Sequence, residues 1–157
     1  MLAEWALDEA ELDQVIFIPT GCSYMKSDDG ILIGEKRLKM AELAIKSHPC
    51  FAVSRMEIDR EGNTYTCDTI SQLKQELPGA NLFFIMGADC LFTIEKWKNP
   101  NQIFKNCCII AAARNGSSLD MMEKKRQELL NSCGANILLL KFTQIEKIGT
   151  DVILVNI

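Results

Sequence analysis

Short apolar runs of strand length alternate with amphipathic stretches along this chain, and this alternation most constrains its fold. Polar or turn-forming residues close the runs: VIFI at 15–18 is followed by PTG, and LFFIM at 82–86 is followed by GAD. A continuous apolar run of this length is typical of a strand that is buried on both faces of a parallel sheet.

The order of predicted elements indicates the fold class. Strands are predicted at 15–18, 51–58, 82–86, 107–113 and 136–140, and the apolar tail 151–157 is also of strand length. Helices are predicted at 35–47, 66–77, 91–97, 100–105 and 118–132. Strands that alternate with helices predict a doubly wound α/β domain with a mostly parallel sheet. We expect residues 1–157 to form this one domain.

Composition excludes several classes of protein. The 157 residues are 48% hydrophobic with a net charge of -4, which suits a soluble domain and argues against a nucleic-acid partner. No apolar run approaches the roughly 20 residues of a membrane span. The seven cysteines form no Cys-x-x-Cys pair, and His48 is the only histidine. We therefore expect reduced thiols in the cytoplasm and no zinc site.

Three predicted strand ends are candidates for a ligand site, because open α/β sheets bind ligands beyond the carboxyl ends of their strands. They are residues 19–26, 87–89 and 114–116. Gly87 lets a backbone or a ligand approach closely, since it has no Cβ. Lys26 and Arg114 could pair with phosphate, or they could be solvated surface residues.

Asp89 and Trp97 each have two interpretations. Asp89 could accept hydrogen bonds from ribose hydroxyls, but the pattern alone favours a helix N-cap. Trp97 could stack on an aromatic ligand, whereas composition alone favours a partly buried core residue. Cys67 and Cys90 lie near the same strand ends without a neighbour that would activate a thiolate, so we interpret both as structural.

Three motifs in order, VIFIPTG, MEIDREGNTYTCDTISQL and FFIMGADCLFTIEKW, precede an apolar strand that ends in Arg. Together they resemble the bacterial nicotinate-nucleotide adenylyltransferases, and the resemblance extends over residues 2–142. It implies a Rossmann-like nucleotidyltransferase fold. It also implies synthesis of deamido-NAD and pyrophosphate from nicotinate mononucleotide and ATP, with Mg²⁺, as a step of NAD biosynthesis.

The resemblance also implies roles for individual residues. Thr66 would help to hold the nicotinate carboxylate, Trp97 would stack on the pyridine ring, and Asp89 would contact ribose. Tyr65 and Thr69 would complete the substrate-binding set, and Lys26, Gly87 and Arg114 would lie near nucleotide and phosphate groups. The mononucleotide phosphate would attack the α-phosphate of ATP in line. No covalent intermediate is needed, so the protein would supply positioning and charge stabilisation. No catalytic side chain and no protein metal ligand is predicted.

The chain departs from this family at both ends. The family's opening loop, Gly-Gly-Thr-Phe-Asp-Pro-x-His-x-Gly-His, and its later Ile-Ser-Ser/Thr-x-x-Ile-Arg motif are not found among these residues. We therefore expect a fold incomplete at both ends, in which residues 151–157 fill the vacant central strand position. The alternative to an adenylyltransferase is a non-catalytic nucleotide-binding or interaction module from the same family, and a homo-oligomer is possible. A dehydrogenase-like domain is less supported, because no Gly-x-Gly-x-x-Gly follows a strand.

Overall fold

The computed structural model describes residues 2–23, 34–113, 119–140 and 152–156. The helices are α1 (Leu2–Glu9), α2 (Gly34–Ile45), α3 (Thr66–Glu76), α4 (Ala88–Leu91), α5 (Pro100–Asn106) and α6 (Leu119–Cys133), with a 3₁₀ turn at Ile94–Lys96. The strands are β1 (Gln14–Phe17), β2 (Cys22–Ser23), β3 (Phe51–Val53), β4 (Asn63–Thr64), β5 (Asn81–Gly87), β6 (Cys108–Ala112), β7 (Ile137–Leu140) and β8 (Val152–Asn156).

A six-stranded sheet in the order β3-β1-β8-β5-β6-β7 forms the centre of the fold. The pairs β1/β3, β5/β6 and β6/β7 are parallel. Strand β8 is antiparallel to both β1 and β5, so β1 and β5 run in the same direction. The carboxyl ends of β1, β3, β5, β6 and β7 therefore lie along one edge, and the prediction of a mostly parallel doubly wound sheet is confirmed.

Strand β8 fills the central position that was predicted for the tail. Leu154 is opposite Val15 on one side and Phe83 on the other. Without an occupant, β1 and β5 would each present an unpaired row of backbone N–H and C=O groups. The first residue of β8, Val152, is opposite Phe17 and Ile85, so this strand enters the sheet near the carboxyl ends of its neighbours.

Two apolar clusters cover the two faces of the sheet. Neighbouring residues of β5 divide between them: Phe84 lies in the cluster with α3, α5 and α6, and Ile85 lies in the cluster with α1 and α2. Ile109 and Ile110 of β6 divide in the same way. These strands are therefore buried on both faces, which explains why their sequences are continuously apolar rather than alternating.

The strand predicted at 51–58 is wrong in its second half. Strand β3 ends at Val53, and the amides of Ile58 and Asp59 both donate to the carbonyl of Arg55 in a helical turn. The Arg55 side chain also pairs with the Asp59 carboxylate at 2.9 Å. In this turn Glu57 is directed into the interior, where it is only 8% exposed.

The helix predicted at 91–97 is also wrong. Helix α4 ends at Leu91, and only the 3₁₀ turn Ile94–Lys96 precedes Trp97. The Thr93 hydroxyl donates to the carbonyls of Asp89 and Cys90. Such bonds from threonine to a preceding turn compete with continuation of a helix. None of the helices in the described ranges has both the length and the apolar character to cross a membrane.

Candidate functional site

The candidate site lies where the strand order of the sheet changes direction. From β1 the parallel strands continue to β3 on one side, and from β5 they continue to β6 and β7 on the other. Ligands of doubly wound sheets bind in the crevice beyond the carboxyl ends at such a switch point. The PTG turn follows β1 at this edge, and Gly87 and Asp89 come at the end of β5.

The PTG turn is held against the segment that leads to α3. A Cβ on Gly21 would lie 2.0 Å from the carbonyl oxygen of Glu57, so only glycine allows this close approach. The Arg37 guanidinium donates to the carbonyl of Thr20. Beyond the turn, β2 pairs in parallel with β4, with Cys22 opposite Asn63. Sequence analysis did not predict this two-stranded sheet, which is too short to leave a periodic pattern.

The N-terminus of α3 is the clearest anion-binding feature at this edge. Tyr65 is the N-cap in an extended conformation and makes no side-chain capping bond, and Thr66 is the first helical residue. The amides of Asp68 and Thr69 donate to the Tyr65 carbonyl at 3.0 and 3.1 Å. The amides that precede these two in the first turn have no intrahelical acceptor, and the helix N-terminus carries partial positive charge. Thr66 therefore lies where a helix N-terminus favours an anion, and its contact with the nicotinate carboxylate stays a prediction.

The segment after Trp97 packs against the first turns of α3. The Lys98 ammonium lies 3.8 Å from the centroid of the Tyr65 ring and 3.1 Å from the Asp68 carboxylate. In the next helix, Gln102 donates to the Ser71 hydroxyl at 2.6 Å. These contacts bring Trp97 close to the N-terminus of α3.

Trp97 packs partly against the core, and its role in stacking on a ligand stays a prediction. Its ring packs edge-to-face on Phe84 at 6.1 Å and 75°, so part of the indole belongs to the core. The residue is nevertheless only half-buried. Its Nε1 is shielded from solvent and meets no acceptor among the described residues. An unpaired buried donor costs roughly 1–3 kcal/mol.

Asp89 is not the helix cap that the pattern favoured. The N-cap of α4 is Gly87, and Asp89 lies inside the first turn without a side-chain capping bond. The carboxylate is exposed, and no group in the described part of the chain donates to it. Gly87 has φ -80° and ψ 165°, which any residue can adopt, so conformation alone does not require glycine there. Asp89 is accessible for the predicted ribose contact, whereas Gly87 is buried.

Thr69 lies in a buried polar network beneath the site. Its hydroxyl donates to the Glu57 carboxylate at 2.6 Å and accepts from Arg60 at 2.8 Å, and the residue is 0% exposed. Arg60 also donates to Gln72 at 2.5 Å. Direct contact between Thr69 and a substrate stays a prediction. The hydrogen bonds connect α3 to the preceding segment that contains Glu57 and Arg60. Sequence analysis missed Glu57, because residues 51–58 were interpreted as a strand, and it missed Arg60, which lies just beyond that range.

Lys26 and Arg114, the two predicted phosphate-binding residues, lie outside the described residues. Cys67 is fully buried, and burial raises the pKa of its thiol, with the Asp68 carboxylate acting in the same direction. This environment favours the neutral thiol and agrees with a structural role. In the described ranges, no three His, Cys, Asp or Glu residues gather into a metal-binding group.

Comparison with known proteins defines the class. The cytidylyltransferase-like family matches residues 1–143, and this chain belongs to that family. Probable nicotinate-nucleotide adenylyltransferases are similar in sequence. The one from Lachnoclostridium phytofermentans is 39% identical over 93% of this chain and 73% of its own length. The one from Moorella thermoacetica is 42% identical over 81% of this chain. The resemblance that the motifs indicated is thereby confirmed.

Coverage of the relatives is partial, and the solved structures agree on the fold. This chain spans 59% of the length of the Moorella protein and 53% of a Mycolicibacterium vanbaalenii relative. Plasmodium falciparum nicotinic acid mononucleotide adenylyltransferase complexed with NaAD matches with a TM-score of 0.70 at 16% identity. That match covers 91% of this chain and 69% of the other. At this identity the likeness shows the nucleotidyltransferase-like fold.

Proposed function

We propose that this chain serves the transfer of the adenylyl group of ATP to nicotinate mononucleotide, which yields deamido-NAD and pyrophosphate for NAD biosynthesis. The observation that carries the proposal is the convergence of Trp97 and the α3 N-terminus at the switch point of the sheet. Membership in the cytidylyltransferase-like family and the names of the relatives support it.

The described residues account best for binding of the mononucleotide. The N-terminus of α3 at Thr66 would receive the nicotinate carboxylate, because its free amides and partial positive charge favour an anion. The exposed part of Trp97 would stack on the pyridine ring, since offset aromatic pairs are favourable. The exposed carboxylate of Asp89 would accept hydrogen bonds from ribose hydroxyls.

The transfer step needs positioning rather than a protein nucleophile. An oxygen of the mononucleotide phosphate attacks the α-phosphorus of ATP, and the bond to the β-phosphate oxygen breaks as pyrophosphate leaves. The protein contributes by aligning the two phosphates and stabilising their charge. Mg²⁺ is usually held by one or two carboxylates together with substrate phosphates. We propose that it enters with ATP.

The position of β8 favours a second candidate, a nucleotide-binding or interaction module without catalysis. This strand enters the sheet at Val152, between Phe17 and Ile85, next to the crevice where the phosphates of a second nucleotide would lie. Such a module would retain the mononucleotide half of the site. For either candidate we propose a cytoplasmic location, because six of the cysteines are free thiols: Cys50, Cys67, Cys90, Cys107, Cys108 and Cys133.

Calorimetric titration of the 157-residue chain with nicotinate mononucleotide and with ATP–Mg²⁺ tests both candidates. Binding of both, together with pyrophosphate release when they are mixed, supports the transferase. Binding of the mononucleotide alone supports the module. Trp97→Ala should abolish mononucleotide binding, whereas Trp5→Ala, which removes an indole from α1 on the opposite face, should not. Failure of a folded chain to bind either nucleotide would refute both.

A further inference from the structure

Lys98 holds a positive charge at a defined place beside the proposed carboxylate site. Its side chain is 43% exposed, yet its ammonium lies both over the Tyr65 ring and against the Asp68 carboxylate. Two simultaneous partners restrict the ammonium more than the single contact typical of a surface lysine. Both partners belong to the N-cap and first turn of α3.

We propose that Lys98 is a specificity-determining residue, which makes the site prefer a pyridine mononucleotide with a carboxylate over one with an amide. This inference rests on the proposed function and deepens it by naming what selects the acid. Neither the helix N-terminus nor Trp97 alone makes a strong distinction, because free amides also donate to an uncharged carbonyl and an indole stacks on either ring.

The charge balance of the first turn of α3 gives the physical reason. Asp68 lies in this turn, so its carboxylate would repel an incoming nicotinate carboxylate. The Lys98 ammonium, 3.1 Å away, compensates this negative charge and leaves the helix N-terminus electropositive. The same pairing raises the pKa of Lys98, so the residue stays charged across the physiological range. A neutral amide substituent on the pyridine ring has no charge for Asp68 to repel, so the neutralisation of Asp68 by Lys98 changes its binding little.

The expected effect is moderate because these groups are partly solvated. Interactions of an exposed charge with a helix terminus, or of an exposed ion pair, correspond to changes of up to about fivefold in an equilibrium constant. Lys98→Met should therefore weaken binding of nicotinate mononucleotide by about fivefold and leave nicotinamide mononucleotide within about twofold of wild type. Salt should reduce the wild-type preference, because it screens exposed charges.

The test is a set of dissociation constants for the two mononucleotides, measured by calorimetry on the full chain. Lys39→Met is the matched control, because it also removes a lysine from an exposed ion pair, that with Glu42 on α2. It should leave both constants unchanged. Adding Asp68→Asn to Lys98→Met should restore much of the acid binding, since the uncompensated charge is then removed. That rescue would not occur if Lys98 only supported the fold.

The outcomes are distinguishable. If wild type prefers the acid and Lys98→Met retains that preference, the inference is overturned while the proposed function stands. Equal weakening of both ligands, without rescue by Asp68→Asn, would show a structural role and overturn it as well. If folded wild type binds neither mononucleotide, the proposed function fails and the inference fails with it.

Discussion

Replacing Thr69 with valine should strongly destabilise the fold, because the Thr69 hydroxyl connects two charged side chains. It donates to the Glu57 carboxylate at 2.6 Å and accepts from the Arg60 guanidinium at 2.8 Å. Thr69→Val preserves shape but removes both bonds, and Glu57 is 8% exposed, so water cannot easily replace its lost donor. Hydrogen bonds to charged groups contribute about 1.5–3 kcal/mol each. Since Arg60 retains Gln72 as a partner, we expect a loss of about 2–4 kcal/mol.

Urea unfolding of wild type, Thr69→Val and Thr69→Ser provides the measurement. Serine keeps the hydroxyl and loses one methyl group, so it should cost only about 1 kcal/mol. A valine variant as stable as the serine variant would refute the argument that the hydroxyl network supports α3.

Titration of the folded variants adds a second result. If Thr69 acts only as a support, each variant should bind nicotinate mononucleotide within a few-fold of wild type, whereas a direct contact would make the valine variant markedly weaker.

Three further predictions concern the sheet, the PTG turn and a buried thiol. Leu154→Pro removes an amide from central strand β8 and should cost about 3 kcal/mol or more in urea unfolding, whereas an edge position for this strand would make the cost small. Gly21→Ala places a Cβ 2.0 Å from the Glu57 carbonyl and should cost at least about 1–3 kcal/mol; an unchanged melting temperature would contradict this contact. Burial raises the pKa of Cys107 from 9.0 to about 12. The unfolded thiol therefore ionises first, so stability should fall as the pH rises from 9 to 12, and less steeply in Cys107→Ala.

The elements that sequence analysis predicted well are those whose pattern reflects burial. Strand β5 from Leu82 to Met86 and strand β6 are continuously apolar because alternate residues enter opposite clusters. Helix α3 was predicted to within one residue, since its apolar stripe at Ile70 and Leu73 faces the core and the chain turns at Pro78. These features depend on local periodicity, which a single sequence displays directly.

The errors occur where tertiary contacts override the local pattern. The alternation at 51–58 suggested a strand, but Arg55 forms a turn and Glu57 is buried by Thr69 rather than by a sheet. Asp89 has the residue type of a cap, yet the end of β5 makes Gly87 the cap. Lys98 had no signal at all, because its position depends on how α5 packs against α3. For the site, motif resemblance indicated the residues, and the structure added their partners.

The side-chain contacts that position the proposed mononucleotide site come from β5 and α3 rather than from β8. Trp97 is anchored on Phe84, and Lys98 is anchored on Tyr65 and Asp68, so these contacts involve β5 and α3 but not β8. Strand β8 instead pairs along β1 and β5, where it adds backbone hydrogen bonds to both. A change in β8 that leaves the chain folded should therefore preserve recognition of the pyridine ring. Such a change should instead affect binding of the ligand that occupies the crevice at Val152. Nicotinate mononucleotide and ATP–Mg²⁺ must therefore be titrated separately.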